Sequence, residues 1–138
     1  MVDVNKILFF GLVNLTKINL SSNQLERVDP KLFDGLRSLI DIDLSYNKLK
    51  FLDSKVFNRL SKIEVINLEH NEIESLEKNI FRGLTSLKRI HLNSNQLTSL
   101  DVNLFCDLTN FTQIYLYENH ELLDNVNVHK FSKYAIHW

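Results

Sequence analysis

One cysteine, one proline and three glycines in 138 residues restrict how this chain can be organised. With Cys106 alone there is no intramolecular disulfide and no multi-cysteine metal site. So little proline and glycine leaves no stretch able to act as a flexible linker, and the length suits one domain. No apolar run approaches the roughly 18 residues a membrane span needs, so direct membrane insertion is not expected. The short apolar stretch Ile7 to Phe10 follows Asp3 rather than a basic segment, and no signal peptide is expected there. Sixteen basic residues against seventeen acidic ones lack the basic excess of a nucleic-acid binder.

What the chain does have is a period. Asn23, Asn47, Asn71, Asn95 and Asn119 are each 24 positions from the next (47 − 23 = 24, and so on). A fixed period in this range marks a solenoid of stacked coils. Aligned on these asparagines, the first unit reads Leu15, Ile18, Leu20, Asn23, Leu25, Val28, Phe33 and Leu36. The second reads Leu39, Ile42, Leu44, Asn47, Leu49, Leu52, Phe57 and Leu60. The third has Ile63, Ile66, Leu68, Asn71, Ile73, Leu76, Phe81 and Leu84, and the fourth has Leu87, Ile90, Leu92, Asn95, Leu97, Leu100, Phe105 and Leu108.

Between the first leucine and the asparagine, apolar residues alternate, as with Ile42 and Leu44 around Asp43. Alternation is a strand signal, and here it covers only about three residues. The rest of each unit must turn the chain back so that successive strands lie side by side in parallel. Apolar side chains then stack in columns that no isolated coil could bury. An asparagine in this row can both donate and accept, and a buried amide needs partners. A ladder of asparagines satisfying backbone groups where the chain leaves the strand is therefore expected. Asp29, Asp53, Glu77 and Asp101 follow the next apolar column and suit the N-cap of a one-turn helix on the convex side. As each recurs in every unit, they are read as structural, not catalytic.

The pattern LxxIxLxxNxLxxLxxxxFxxL resembles the 24-residue typical leucine-rich repeat, found chiefly in extracellular receptors, adhesion proteins and secreted binding proteins. Phe33-Asp34-Gly35-Leu36 and Phe81-Arg82-Gly83-Leu84 carry its Phe-x-Gly-Leu element in full. The resemblance implies an α/β fold class: a right-handed solenoid with short parallel strands on its concave face and turns or one-turn helices on its convex face. A single domain is expected, with a partial repeat at 1–14, full repeats at 15–38, 39–62, 63–86 and 87–110, and a fifth repeat plus flank at 111–138.

Val4, Phe9 and Leu12 fall 24 positions before Val28, Phe33 and Leu36, so the chain begins inside a repeat. In the fifth unit Phe111, Ile114, Leu116 and Asn119 keep phase, but Glu121 stands at the next apolar position. A two-residue insertion would return Leu123, Val126, Phe131 and Tyr134 to their columns, and Ala135 to Trp138 begin something left unfinished. The cysteine-rich caps usual in such proteins are lacking. Either the chain is part of a larger protein, which is preferred, or polar residues and the tail shield the ends. Open ends would favour end-to-end self-association.

No catalytic constellation is present: there is no glycine-rich phosphate loop, no His-Glu-x-x-His, and no cysteine with an evident base. His70 and His91 occupy different positions of neighbouring coils without a ligand set, so no metal and no cofactor are expected. Cys106, at a position held elsewhere by Asp34, Asn58 and Arg82, is expected to face outward.

Binding is the expected activity. Between the inward residues of each strand, the concave face carries Lys17, Asn19, Ser21 and Ser22, then Asp41, Asp43, Ser45 and Tyr46. Val65, Asn67, Glu69 and His70 follow, then Arg89, His91, Asn93 and Ser94, and last Gln113, Tyr115, Tyr117 and Glu118. A polypeptide ligand is expected there, on Asp43, Tyr46, Asn67, Glu69, His70, Arg89, His91, Tyr115 and Tyr117, since tyrosine and arginine are common interface anchors. The competing reading is a solvated sheet whose ligand docks elsewhere. Asn14-Leu15-Thr16 and Asn110-Phe111-Thr112 are candidate glycosylation sites, placed just before the first leucine and off the concave face. Sequons and the Phe-containing consensus favour an extracellular receptor, adhesion or innate-recognition module. The absent signal peptide and paired cysteines favour an intracellular scaffold or regulatory subunit.

Overall fold

The computed structural model describes residues 5–110, 113–122 and 134–138. Its strands are β1 (Lys17–Asn19), β2 (Asp41–Asp43), β3 (Val65–Asn67), β4 (Arg89–His91), β5 (Gln113–Tyr115) and β6 (Ala135–His137). They form one parallel sheet in chain order. Register runs through the central isoleucines, Ile18 on Ile42, Ile66, Ile90, Ile114 and Ile136. Each of these β-branched residues fits a pleated surface and points inward, and its two neighbours point out. One further backbone rung closes each strand, such as Leu44 N–H donating to the Asn67 carbonyl at 2.8 Å and Leu68 N–H to His91 at 2.9 Å.

The chain then breaks from the sheet in a left-handed residue. Ser22, Tyr46, His70, Ser94 and Glu118 have φ of 58°, 54°, 49°, 54° and 59°, each one position before a ladder asparagine. On the convex side, Gly35 and Gly83 in the Phe-x-Gly-Leu element take φ of 84° and 76°, and Arg59 holds the same place at 67°. An L side chain in that region is disfavoured, so the second coil makes its turn under local strain that glycine avoids.

Inside, Phe33, Phe57, Phe81 and Phe105 are buried and stack at 6.3, 6.4 and 5.9 Å between successive ring centres. Phe9 extends the stack, 6.4 Å from Phe33. A column not anticipated from the pattern lies beside it: Leu32, Val56, Ile80 and Leu104 are also buried. It precedes the phenylalanines directly, and in the tight convex turn two consecutive side chains both reach the core.

The convex side is made mostly of turns. Val102–Phe105 forms a short helix, of 3-10 type, with Asp101 as its cap accepting from Asn103 N–H. Asp29 and Asp53 accept from Lys31 and Lys55 N–H in the same way, at 2.8 Å each. Glu77 departs from the expected cap. Its longer side chain reaches back one coil and accepts from Ser54 N–H at 3.1 Å.

The ends differ from the middle. Ile7, Leu8, Phe10, Leu12 and Val13 are exposed by 48–84%. At the other end β6 begins 22 residues after β5 (135 − 113 = 22), not 24 or more. The expected two-residue insertion therefore does not lengthen the step between strands. Leu123, Val126 and Phe131, on which it rested, and Phe111 lie outside the described residues. Tyr134 does not continue the leucine column. It sits edge-on to Phe105 at 5.7 Å, and its hydroxyl donates to the Phe105 carbonyl at 3.1 Å. Leu122 is fully buried close to the ladder, one position after Glu121.

Candidate functional site: the concave sheet

Four outward columns cross the strands, because parallel register places equivalent residues of neighbouring coils side by side, roughly 4.8 Å apart. The first is Lys17, Asp41, Val65, Arg89, Gln113 and Ala135; Lys17 Nζ lies 3.5 Å from the Asp41 carboxylate.

The second column changes character halfway. In the first three coils Asn19, Asp43 and Asn67 fold back on their own chain, accepting from the N–H of Ser21, Ser45 and Glu69 at 2.9, 2.9 and 3.0 Å. Ser21 and Ser45 hydroxyls bind the same side-chain oxygens at 2.7 and 2.6 Å. In the last three coils the column is His91, Tyr115 and His137. These rings stack almost parallel, His91 on Tyr115 at 4.4 Å and 1°, Tyr115 on His137 at 4.3 Å and 9°. His137 is a member that periodicity could not place, because the last coil breaks the 24-residue step.

Tyr46 and His70 make a separate pair in the left-handed column, 4.3 Å apart. Small serines, Ser22 and Ser94, stand on either side of them. The expected aromatic residues thus divide into two groups in different columns, and Tyr117, 41% exposed, belongs to neither.

The remaining column is Ser21, Ser45, Glu69, Asn93 and Tyr117. Asn93 Nδ2 donates to Glu69 Oε2 at 3.3 Å, and Asn93 is only 1% exposed. This residue was not among the expected binding positions; a polar side chain on an outward column gives no sign in sequence that it will be buried.

Burial lowers the pKa of His91 below its usual 6.5, Arg89 adding to the effect while Glu69, Asp43 and Asp41 oppose it. His91 is thus neutral at physiological pH. Tyr117 is raised by desolvation and by Glu69 and Glu118.

Behind the sheet edge lies the asparagine row. Asn71 Oδ1 accepts from Leu49 N–H at 3.0 Å, and its Nδ2 donates to the carbonyls of Leu44, Leu68 and Glu69 at 3.0, 3.1 and 3.2 Å. Asn47, Asn95 and Asn119 repeat this pattern between their own coils. Asn23 is exposed, its Nδ2 donating to the Ser21 carbonyl at 2.9 Å.

Among the described residues no group of three or more His, Cys, Asp or Glu could hold a metal ion, and no helix is long and apolar enough to cross a membrane. Cys106 is exposed. Asn14 and Asn110 are both exposed; the Asn110 amide donates to the Thr85 carbonyl at 2.9 Å, and Thr112 lies outside the described residues.

Short parallel strands, a polar ladder behind them and a variable outer face define a repeat solenoid that presents one continuous sheet. The chain belongs to the leucine rich repeat family, whose model matches residues 2–49, 13–73, 41–97 and 64–120. A search of curated proteins found no match. A chain of the solved structure described as "Crystal structure of LRIM1/APL1C complex" is similar, with a TM-score of 0.78 and 21% identity over 81% of this chain. That likeness is one of fold, and this chain spans only 21% of the length of that one.

Proposed function

We propose that this solenoid is a non-catalytic binding module that takes a polypeptide on its concave sheet. The single observation carrying this is the change along the second column, from residues that bond to their own backbone to the outward ring row His91, Tyr115 and His137. A residue satisfied by its own coil offers a partner little. A pre-stacked row of rings offers a rigid surface that loses little entropy on docking. Tyr46, His70, Arg89 and Tyr117 extend the same face with Glu69, while Asp43 and Asn67, bonded to their own coils, border it. The similar solenoid found within a chain of a complex is in keeping with protein partners.

The experiment is the double variant Tyr115→Ala, Tyr117→Ala. A partner captured by the wild-type protein is expected to bind about tenfold or more weakly, as loss of interface tyrosines typically costs more than 1.4 kcal/mol. Stability should change little, because neither residue is in the core. Unaltered affinity would move the docking surface off this sheet.

An extracellular receptor, adhesion or innate-recognition role is the preferred setting, supported by the two exposed sequon asparagines lying away from the sheet. The second reading, an intracellular scaffold, is supported by the lone exposed thiol of Cys106. Mass analysis of protein from its native source separates them: a glycan is expected at Asn14, whose side chain lacks the backbone bond that engages Asn110. An unmodified Asn14 would favour the scaffold.

A further inference from the structure

We infer that the hollow on the convex side between the first two full coils, built around Arg59, is a seat for the sulfate groups of an acidic glycan. This goes beyond polypeptide docking on the concave sheet and stands on different residues.

Arg59 holds a left-handed backbone, φ 67°, where the neighbouring coils place Gly35 and Gly83. A Cβ at either glycine would meet nothing within 4 Å, so the position faces open space and packing asks for no side chain there. Glycine would relieve the turn, since an L residue in this region is disfavoured. An exposed arginine that strains the backbone without filling the core points to a use outside the fold.

The hollow beside it has a volume of about 430 Å³. Its lining includes three cations, Arg37, Arg59 and Lys62, together with Ser38 and Ser61, and no carboxylate. Among the described residues none of these cations is in an ion pair, whereas Lys17, Lys50 and Lys88 each have an acidic partner at 2.8–3.8 Å. The backbone N–H groups of Ser61 and Lys62 also donate to nothing in the fold. With a net charge of −1 over the chain, this is a local feature and not general basicity.

A guanidinium fork holds two oxygens of one oxyanion at once. The hollow's only apolar side chains, Leu36 and Leu60, are buried, so neither a hydrophobic peptide anchor nor a lipid chain has a place. No aromatic ring lines it for a nucleobase to stack on. Arg59 also borders a second hollow, where Lys31 and Lys55 stand with Asp34 and Asp53. Asp53 there is engaged by Lys55 N–H at 2.8 Å. Sulfates repeated along one polymer match cations spread over adjoining hollows better than a single anion does.

The test is a calorimetric titration of the intact chain with a heparin octasaccharide and with its desulfated, N-acetylated form. The sulfated form is expected to bind, more weakly as salt is added, and the desulfated form not to bind. Arg59→Gly should weaken binding about fivefold or more while the urea unfolding midpoint holds or rises. Arg37→Ala, which leaves the strained turn alone, should give a similar loss. Lys17→Ala removes the same charge from the concave sheet and should change affinity by less than about twofold. Equal losses from Arg59→Gly and Lys17→Ala would reduce the effect to net charge and overturn the seat. A clear fall in the midpoint of Arg59→Gly would make that arginine structural and overturn it too. Equal binding of both saccharides, or tighter binding of a single-stranded DNA of matched charge, would exclude the glycan. Loss of saccharide binding in Tyr115→Ala, Tyr117→Ala would move it to the concave sheet, against this inference.

Discussion

Phe57→Ala is expected to destabilise the protein by about 4 kcal/mol, within the range seen when a buried phenylalanine is truncated. Phe57 is wholly buried and has a ring on each side, Phe33 at 6.3 Å and Phe81 at 6.4 Å. Removing it opens a void in the middle of the stack. The neighbours cannot close it, because each is fixed in its own coil by strand register and by the asparagine row. Phe9→Ala is the control. That ring is only partly buried and has one described stacking neighbour, Phe33, so its loss should cost about 1 kcal/mol or less. Urea denaturation followed by circular dichroism reads both. Because each coil touches only its neighbours, damage at Phe57 should also uncouple the two halves, broadening the transition and lowering its slope. Equal losses from Phe57 and Phe9 would mean that the phenylalanine column is not the continuous core described here.

How much of this was legible in the sequence follows from the one-dimensional nature of the fold. In a solenoid, position within the repeat is position in space, so a 24-residue period locates the strands, the isoleucine register and the phenylalanine stack. The same logic placed the outward columns on one face. It failed where local geometry departs from alternation. Leu32, Val56, Ile80 and Leu104 went unnoticed because they adjoin the phenylalanines, and only a tight turn lets both point inward. His137 went unnoticed because the last step between strands is 22 residues.

Properties set by side-chain conformation were not legible either. Whether Tyr115 stacks on its neighbours or stands free depends on ring orientation, which a residue list does not contain. The same holds for Glu77, expected to cap its own turn but bonded to Ser54 of the preceding coil. Asn93 is the most instructive case. Its column looks like solvent-facing surface, with Ser21 before it and Tyr117 after it. In the structure it is nonetheless buried, its amide donating to Glu69.

Asn71→Ala is the second large effect, about 3 kcal/mol of lost stability. The mutation removes one acceptor and one amide that together serve four backbone groups. Leu49 N–H and the carbonyls of Leu44 and Leu68 lie where the bonds are buried, and the Glu69 carbonyl is part-buried. Water cannot readily replace the lost partners, and an unpaired buried polar group costs about 1–3 kcal/mol. The Leu44, Leu68 and Glu69 carbonyls each keep another bond, from Asn47, Asn95 and Tyr46 N–H, so Leu49 N–H is the group left unpaired and the total does not exceed about 3 kcal/mol. Asn23→Ala isolates the cause. The residue type and repeat position are the same, but this asparagine is exposed, and the loss should stay below about 1 kcal/mol. Chemical denaturation of the two variants checks the difference, and hydrogen exchange at the Leu49 amide locates it, since that N–H should lose protection in Asn71→Ala alone. If both substitutions were neutral, the coils would be held by apolar packing and strand bonds, with the asparagine row only filling space at the bend.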